Sequence, residues 1–74
     1  MRRLSDLAPG GRGTVRAVRT DDEMGRRLRE LGLIRGAAVE CLTRAPWGDP
    51  AAYRICGAVI ALRREDAGRV ELWR

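Results

Sequence analysis

After residue 34 this chain is cut into short runs by turn-forming residues, and that spacing restricts its fold more than any other feature. Arg35-Gly36, Ala45-Pro46-Trp47-Gly48-Asp49-Pro50, Gly57 and Glu65-Asp66-Ala67-Gly68 interrupt it in turn. The runs between them, Ala37 to Thr43, Ala52 to Cys56, Ala58 to Arg63 and Val70 to Leu72, have the length of strands. Val39, Cys41 and Thr43 share one face of the first, and Ile60 and Leu62 alternate inward in the third. Upstream, Leu4 and Leu7 anchor a short turn, and Pro9-Gly10 suits the centre of a type II turn. Thr14 to Arg19 reads as a further strand, in which Val15 and Val18 cannot face the same side without a bulge.

One segment departs from this pattern. Thr20, three residues before Glu23, matches a capping box, and Asp21 and Asp22 add negative charge at the positive end of a helix dipole. Met24, Leu28 and Leu31 then form an apolar stripe at helical spacing. Glu23 with Arg27, and Arg26 with Glu30, are oppositely charged i,i+4 pairs on the exposed side. Gly32 is placed for a left-handed cap with Leu33 as its apolar contact, whereas Gly25 is a flaw costing about 1 kcal/mol relative to alanine. About five short strands with one inserted helix cannot make a doubly wound sheet. A mainly β, small closed barrel removes the edges such strands would expose.

Composition narrows the function. At 74 residues the chain has room for a single domain, residues 1–74, and few apolar residues to spare for a deep substrate pocket. It has no histidine, hence no imidazole base and no nitrogen ligand for zinc or iron. All fifteen basic residues are arginine, which removes a Schiff-base or phosphate-loop lysine. Ser5, Asp49 and the cysteines lack a general base, so an enzyme is not expected, nor is a cofactor. Ile55 to Leu62 is the longest stretch free of charge and is too short to span a bilayer. Asp6, Pro9 and Gly10 stand where a signal peptide would be apolar, so a cytoplasmic protein with free thiols is expected. The net charge of +5 arises from arginines interleaved with ten carboxylates, the pattern of a mixed solvated surface.

Three groups are candidates for function. Cys41 and Cys56 approach one another if residues 37–57 form a hairpin, but with no companion ligands they read as packing residues and no metal is expected. Arg26, Arg27 and Arg29 give the helix a basic edge, which meets either an acidic partner or simply Glu23 and Glu30. Leu33, Ile34, Arg35 and Trp47, with Asp49 in the same loop as Trp47, form a possible partner-binding group. The other reading of Trp47 is that it folds back over one end of the barrel, with Trp73 over the other.

Taken in order, Leu4-x-x-Leu7-x-Pro9-Gly10, a Gly-x-Val strand, Arg27-Leu28-x-x-Leu31-Gly32-Leu33, Gly36, Pro46-x-Gly48-Asp49-Pro50 and Ile60-Ala61-Leu62-Arg63-x-x-Asp66-Ala67 resemble the FeoA family of bacterial ferrous iron uptake. The resemblance runs nearly end to end. It implies an SH3-like β-barrel with a helix after the first strand, similar also to the C-terminal domain of DtxR-type repressors. It further implies a non-enzymatic accessory role beside FeoB, a membrane permease carrying a cytosolic GTP-binding domain. One position departs from the family pattern, which has Pro-Gly where this chain has Arg35-Gly36. The alternative function is a nucleic-acid-binding SH3-like barrel; one tyrosine and no phenylalanine leave it without an aromatic ladder for stacking bases.

Overall fold

The computed structural model describes residues 2–73. A 3-10 turn at Leu4–Asp6 leads into β1 (Arg12–Val18), α1 (Glu23–Glu30), β2 (Ala38–Arg44), β3 (Ala51–Ile55), β4 (Ala58–Leu62), the single turn α2 (Arg64–Ala67) and β5 (Val70–Leu72). The strands form one antiparallel sheet in the order β4-β3-β2-β1-β5. Leu62 from one end of the sheet and Val70 and Leu72 from the other share a core with Val15, Val39, Tyr53 and Ile55. The sheet therefore wraps around a single interior as a barrel does.

Two irregularities make that wrapping possible. The register of β1 against β5 shifts between Val15 and Ala17, as the spacing of its valines requires. A second shift lies between Cys41 and Thr43 in β2. It turns Thr43 outward while Val39 and Cys41 stay buried, against the alternation expected from the sequence. A bulge rotates every later side chain to the opposite face.

The barrel is not closed by hydrogen bonds. β4 and β5 stand at opposite ends of the strand order and do not pair with one another. The edge of β5 is covered by the chain's own start: Arg3 bridges Glu71, and the Leu72 N–H donates to Arg2 O at 2.8 Å. Among the described residues no segment pairs with the corresponding edge of β4.

α1 begins two residues later than the capping box suggested. Asp22, not Thr20, is the N-cap, and its carboxylate accepts the Gly25 N–H at 3.0 Å. That hydrogen bond, helped by the Thr20 side chain and the Arg69 charge, holds the Asp22 carboxyl below its usual range. Gly25 is no flaw. A Cβ there would lie 2.2 Å from Thr20 O, so the turn entering the helix can pass this close only over a glycine. Leu28 is fully buried beneath the helix, Met24 packs partly against the core, and Leu31 remains 40% exposed. Glu23 pairs with Arg26 rather than Arg27, and Arg26 also reaches Glu30 at 3.8 Å.

Candidate docking surface

The end of α1 is set by Gly32, whose φ of +107° lies in the left-handed region. Its N–H donates to Arg29 O and the Leu33 N–H donates to Leu28 O at 3.1 Å, satisfying two carbonyls that the helix end would leave open. This cap drives Leu33 completely into the core. Leu33 is thereby removed from the surface to which the sequence assigned it, because the apolar contact of the cap and an exposed contact cannot be the same side chain. Ile34 follows with the opposite orientation and is 56% exposed. Next to it, Arg35 places its guanidinium 5.1 Å from the centroid of the Trp73 ring.

Trp47 is elsewhere. Ile34 to Gly36 lead into β2 and Ala45 to Pro50 follow its other end, so a seven-residue strand separates the two groups expected to act together. The aromatic partner of Arg35 is Trp73, with Arg16 also 5.1 Å from the same ring. Trp47 does not fold back over the barrel: it is 80% exposed on a loop that is itself well held. Gly48 N–H donates to Ala45 O at 2.7 Å, Ala45 N–H to Pro50 O at 2.9 Å, and Asp49 accepts the Arg64 N–H at 2.9 Å. Asp49 thus serves the loop and the start of α2 rather than the open surface.

Arg44, at the end of β2, is a residue the sequence did not single out. Its guanidinium donates to Ser5 O at 2.9 Å, to Leu7 O, and to Gly48 O at 3.4 Å, tying the 3-10 turn to the Trp47 loop. It also lies by Tyr53, whose phenol is pushed up by burial while the Arg44 charge opposes the shift. No local pattern announces such a residue, since two of its three partners, the carbonyls of Ser5 and Leu7, are distant in sequence.

The two cysteines do not meet. Cys41 is buried opposite Tyr53. Cys56 is exposed in the tight β3–β4 turn at φ +50°, with its thiol 3.6 Å from Gly32 O. Among the described residues no group of three or more His, Cys, Asp or Glu side chains is placed to hold a metal ion. Of the helix arginines, Arg26 is engaged with Glu23 and Glu30, while Arg29 donates to Thr20 O at 2.8 Å and pairs with Asp21 at 3.4 Å. Arg27 has no carboxylate partner among the described residues.

A basic surface forms around β5 instead. Arg19 grips Glu71 at 2.8 Å and holds its carboxyl below the usual range, with Arg16 and Arg3 adding to the effect. Arg3, Arg35 and the pair Arg16 and Arg19 at the end of β1 come from three segments, so this cluster is invisible as a charge run. On the outer sheet face a depression of about 590 Å³ is lined by Arg12, Glu40 and Arg54. There Glu40 is shared between the two arginines, at 3.8 and 3.5 Å, so the depression keeps a single net positive charge.

Among the described residues no helix is long and apolar enough to cross a membrane. The FeoA domain model matches residues 2–72. Over 70 residues the chain is 34% identical to an Fe(2+) transport protein A/Fe(2+) transporter FeoB fusion protein of Porphyromonas gingivalis, covering 95% of this chain and 8% of that much longer protein. It is 32% identical to the FeoA protein of Stenotrophomonas maltophilia, a procaryotic SH3 domain protein crystallised with zinc, with a TM-score of 0.87 over 97% of this chain and 89% of that one. A manganese-dependent transcriptional repressor shares the fold at 24% identity and a TM-score of 0.83, over 96% of this chain and 35% of its own. The fold is accordingly the SH3-like barrel, mainly β, that the motifs suggested. Matched along almost its whole length by the domain model, the chain belongs to the FeoA family of ferrous iron transport.

Proposed function

We propose that this chain is a non-enzymatic, cytoplasmic accessory protein of ferrous iron uptake that docks on a FeoB-type transporter and modulates it. The single observation carrying this reading is the Porphyromonas gingivalis relative, in which a domain like this one and a FeoB transporter are one polypeptide. Fusion places the two at high effective concentration, an arrangement that suits domains acting on each other. The side chains available for contact are large: Trp47 at 80% exposure on its braced loop, Ile34 at 56%, and the Arg35–Trp73 stack. Rigid aromatic and arginine side chains lose little entropy on docking. Arg27, without a carboxylate partner among the described residues, extends the same reading along α1 toward an acidic partner surface, whereas the neighbouring Arg26 is held by Glu23 and Glu30. An accessory protein of this kind shifts its partner only by binding two of its conformations unequally, for instance two nucleotide states of a GTP-binding domain.

The test is pull-down and calorimetry with the cytosolic portion of a FeoB-type transporter. Trp47→Glu and Ile34→Glu should each weaken capture while leaving the circular dichroism spectrum unchanged. Normal binding by both folded variants would refute this surface. A gel shift with RNA and DNA across a salt series tests the rival nucleic-acid reading, for which a steep loss of binding with salt is the signature. The exposed ring of Trp73 would first have to give up its two arginine neighbours to stack on a base.

A further inference from the structure

The two ends of the sheet are treated differently by the chain itself. At β5 the backbone of residues 2 and 3 lies alongside as an extra strand segment. At β4 the pairing with β3 runs Ile55↔Ala58, Tyr53↔Ile60 and Ala51↔Leu62, closed by the two-residue turn Cys56-Gly57. In such a hairpin the closing pair is hydrogen-bonded and alternate pairs follow it. Ala58, Ile60 and Leu62 therefore direct their N–H and C=O toward β3. Val59 and Ala61 direct theirs outward, to an edge with which no other strand pairs among the described residues. Edge strands are ordinarily guarded by a charged residue, a proline or a bulge, and Ala58-Val59-Ile60-Ala61-Leu62 has none of these within it.

Beside this edge runs a groove of about 340 Å³ between β4 and α1. Its helix wall is the stripe of Met24, Leu28 and Leu31, and its strand wall includes Ile60 and Leu62. Leu31 is 40% exposed and Ile60 only partly buried, so the groove presents apolar surface beside the strand edge. Charge on the groove is unbalanced at one place. Arg63 is matched by Asp66 at 3.2 Å and by Glu65 at 3.7 Å. Arg27, on the helix wall, has no carboxylate partner among the described residues.

We propose that the free edge of β4 and the groove beside it receive an extended segment of a partner protein as an added strand, with apolar side chains against α1 and a carboxylate opposite Arg27. An extended segment answers all three features at once. Its backbone satisfies Val59 and Ala61, its alternate side chains fill the groove, and its acid balances the arginine. A helix or a small apolar molecule would leave the backbone groups unmatched. A second copy of this chain fits less well, because β4 carries no acid to offer Arg27 and is followed by Arg63 and Arg64. This surface is distinct from Trp47 and Ile34, and the inference concerns the chemistry of the segment, whichever protein carries it.

The test uses the full chain, isotope-labelled, with a short synthetic peptide whose alternate positions, all on one face of the strand, carry valines and one glutamate. Two counterparts accompany it, one with lysine for glutamate and one methylated on its backbone nitrogens. Amide hydrogen exchange is followed residue by residue. The glutamate peptide should slow exchange at Val59 and Ala61 by about tenfold or more, the sign of a new backbone hydrogen bond. Neither counterpart should do so. Arg27→Glu should weaken the glutamate peptide roughly fivefold or more and favour the lysine peptide. Ala61→Pro should abolish binding without unfolding the barrel, since the outward N–H it removes belongs to no ladder bond. Unchanged exchange at Val59 and Ala61 under excess glutamate peptide would overturn the proposal. So would equal protection by the methylated peptide, or protection that appears with rising concentration of the chain alone, which would mean self-pairing.

Discussion

Asp49 accepts the backbone N–H of Arg64 at 2.9 Å, so the loop that carries the most exposed tryptophan is fastened to the first turn of α2. Arg63, the residue at the N-cap of that turn, makes no side-chain cap of its own, and a side chain distant in sequence does the work instead. Asp49→Ala should therefore cost about 0.5–2 kcal/mol, the range for losing a cap. It should also lower the order of the Gly48 amide in relaxation measurements. Unchanged order would show that Arg44 and the loop's internal hydrogen bonds suffice.

Gly25→Ala should destabilise, although alanine in an exposed helix interior normally gains about 1 kcal/mol over glycine. The added carbon meets Thr20 O at 2.2 Å, against backbone that has little freedom to move. A urea midpoint that falls below that of the parent chain is the expected result.

Arg44→Ala should cost about 1–3 kcal/mol, because it strips a charged donor from the carbonyls of Ser5 and Leu7. The 3-10 turn at Leu4–Asp6 should loosen with it, visible as faster amide exchange at Leu7, whose N–H is bonded to Leu4 O.

Cys56 occupies the left-handed region at φ +50° in a two-residue hairpin turn, a position that asparagine adopts with little strain. Cys56→Asn should raise stability by about 0.5–1 kcal/mol in urea unfolding. A lower midpoint would show that the weak thiol contact to Gly32 O outweighs the backbone preference.

The pH dependence follows from Asp22 and Glu71, whose carboxyls are both held below their ordinary range. A depressed pKa in the folded state adds stability that is complete above the unfolded value, near 4, and is lost as pH falls through the folded one. With no histidine to titrate, the melting temperature should be flat from about pH 5 to 7 and should drop below about pH 4. Asp22→Asn and Glu71→Gln should each flatten that acid limb.

Much of the fold was legible because it depends on local rules. The Gly57 and Pro9-Gly10 turns, the bulge forced by Val15 and Val18, and the Gly32 cap with Leu33 behind it each follow from the backbone demands of a few adjacent residues, although Cys56 joins the turn rather than the expected strand. The errors share a cause. Leu33 was placed on a docking surface and in a cap contact at once, and only the packed core decides between them. Gly25 looked like a defect because the approach of Thr20 O is made by chain that lies outside the helix.

The order of turn formers and the helical stripe pointed, without any structure, to a small β-barrel, because short runs bounded by turns admit few other solutions, and the resemblance of the ordered motifs supplied the FeoA type. Which surfaces that barrel offers was decided by tertiary structure alone. Trp47 is parted from Ile34 by the length of β2, Arg35 finds Trp73, and one sheet edge is covered while the other pairs with no segment among the described residues. Each of these depends on where segments far apart in the chain come to rest against a shared core, and no window of sequence contains that information.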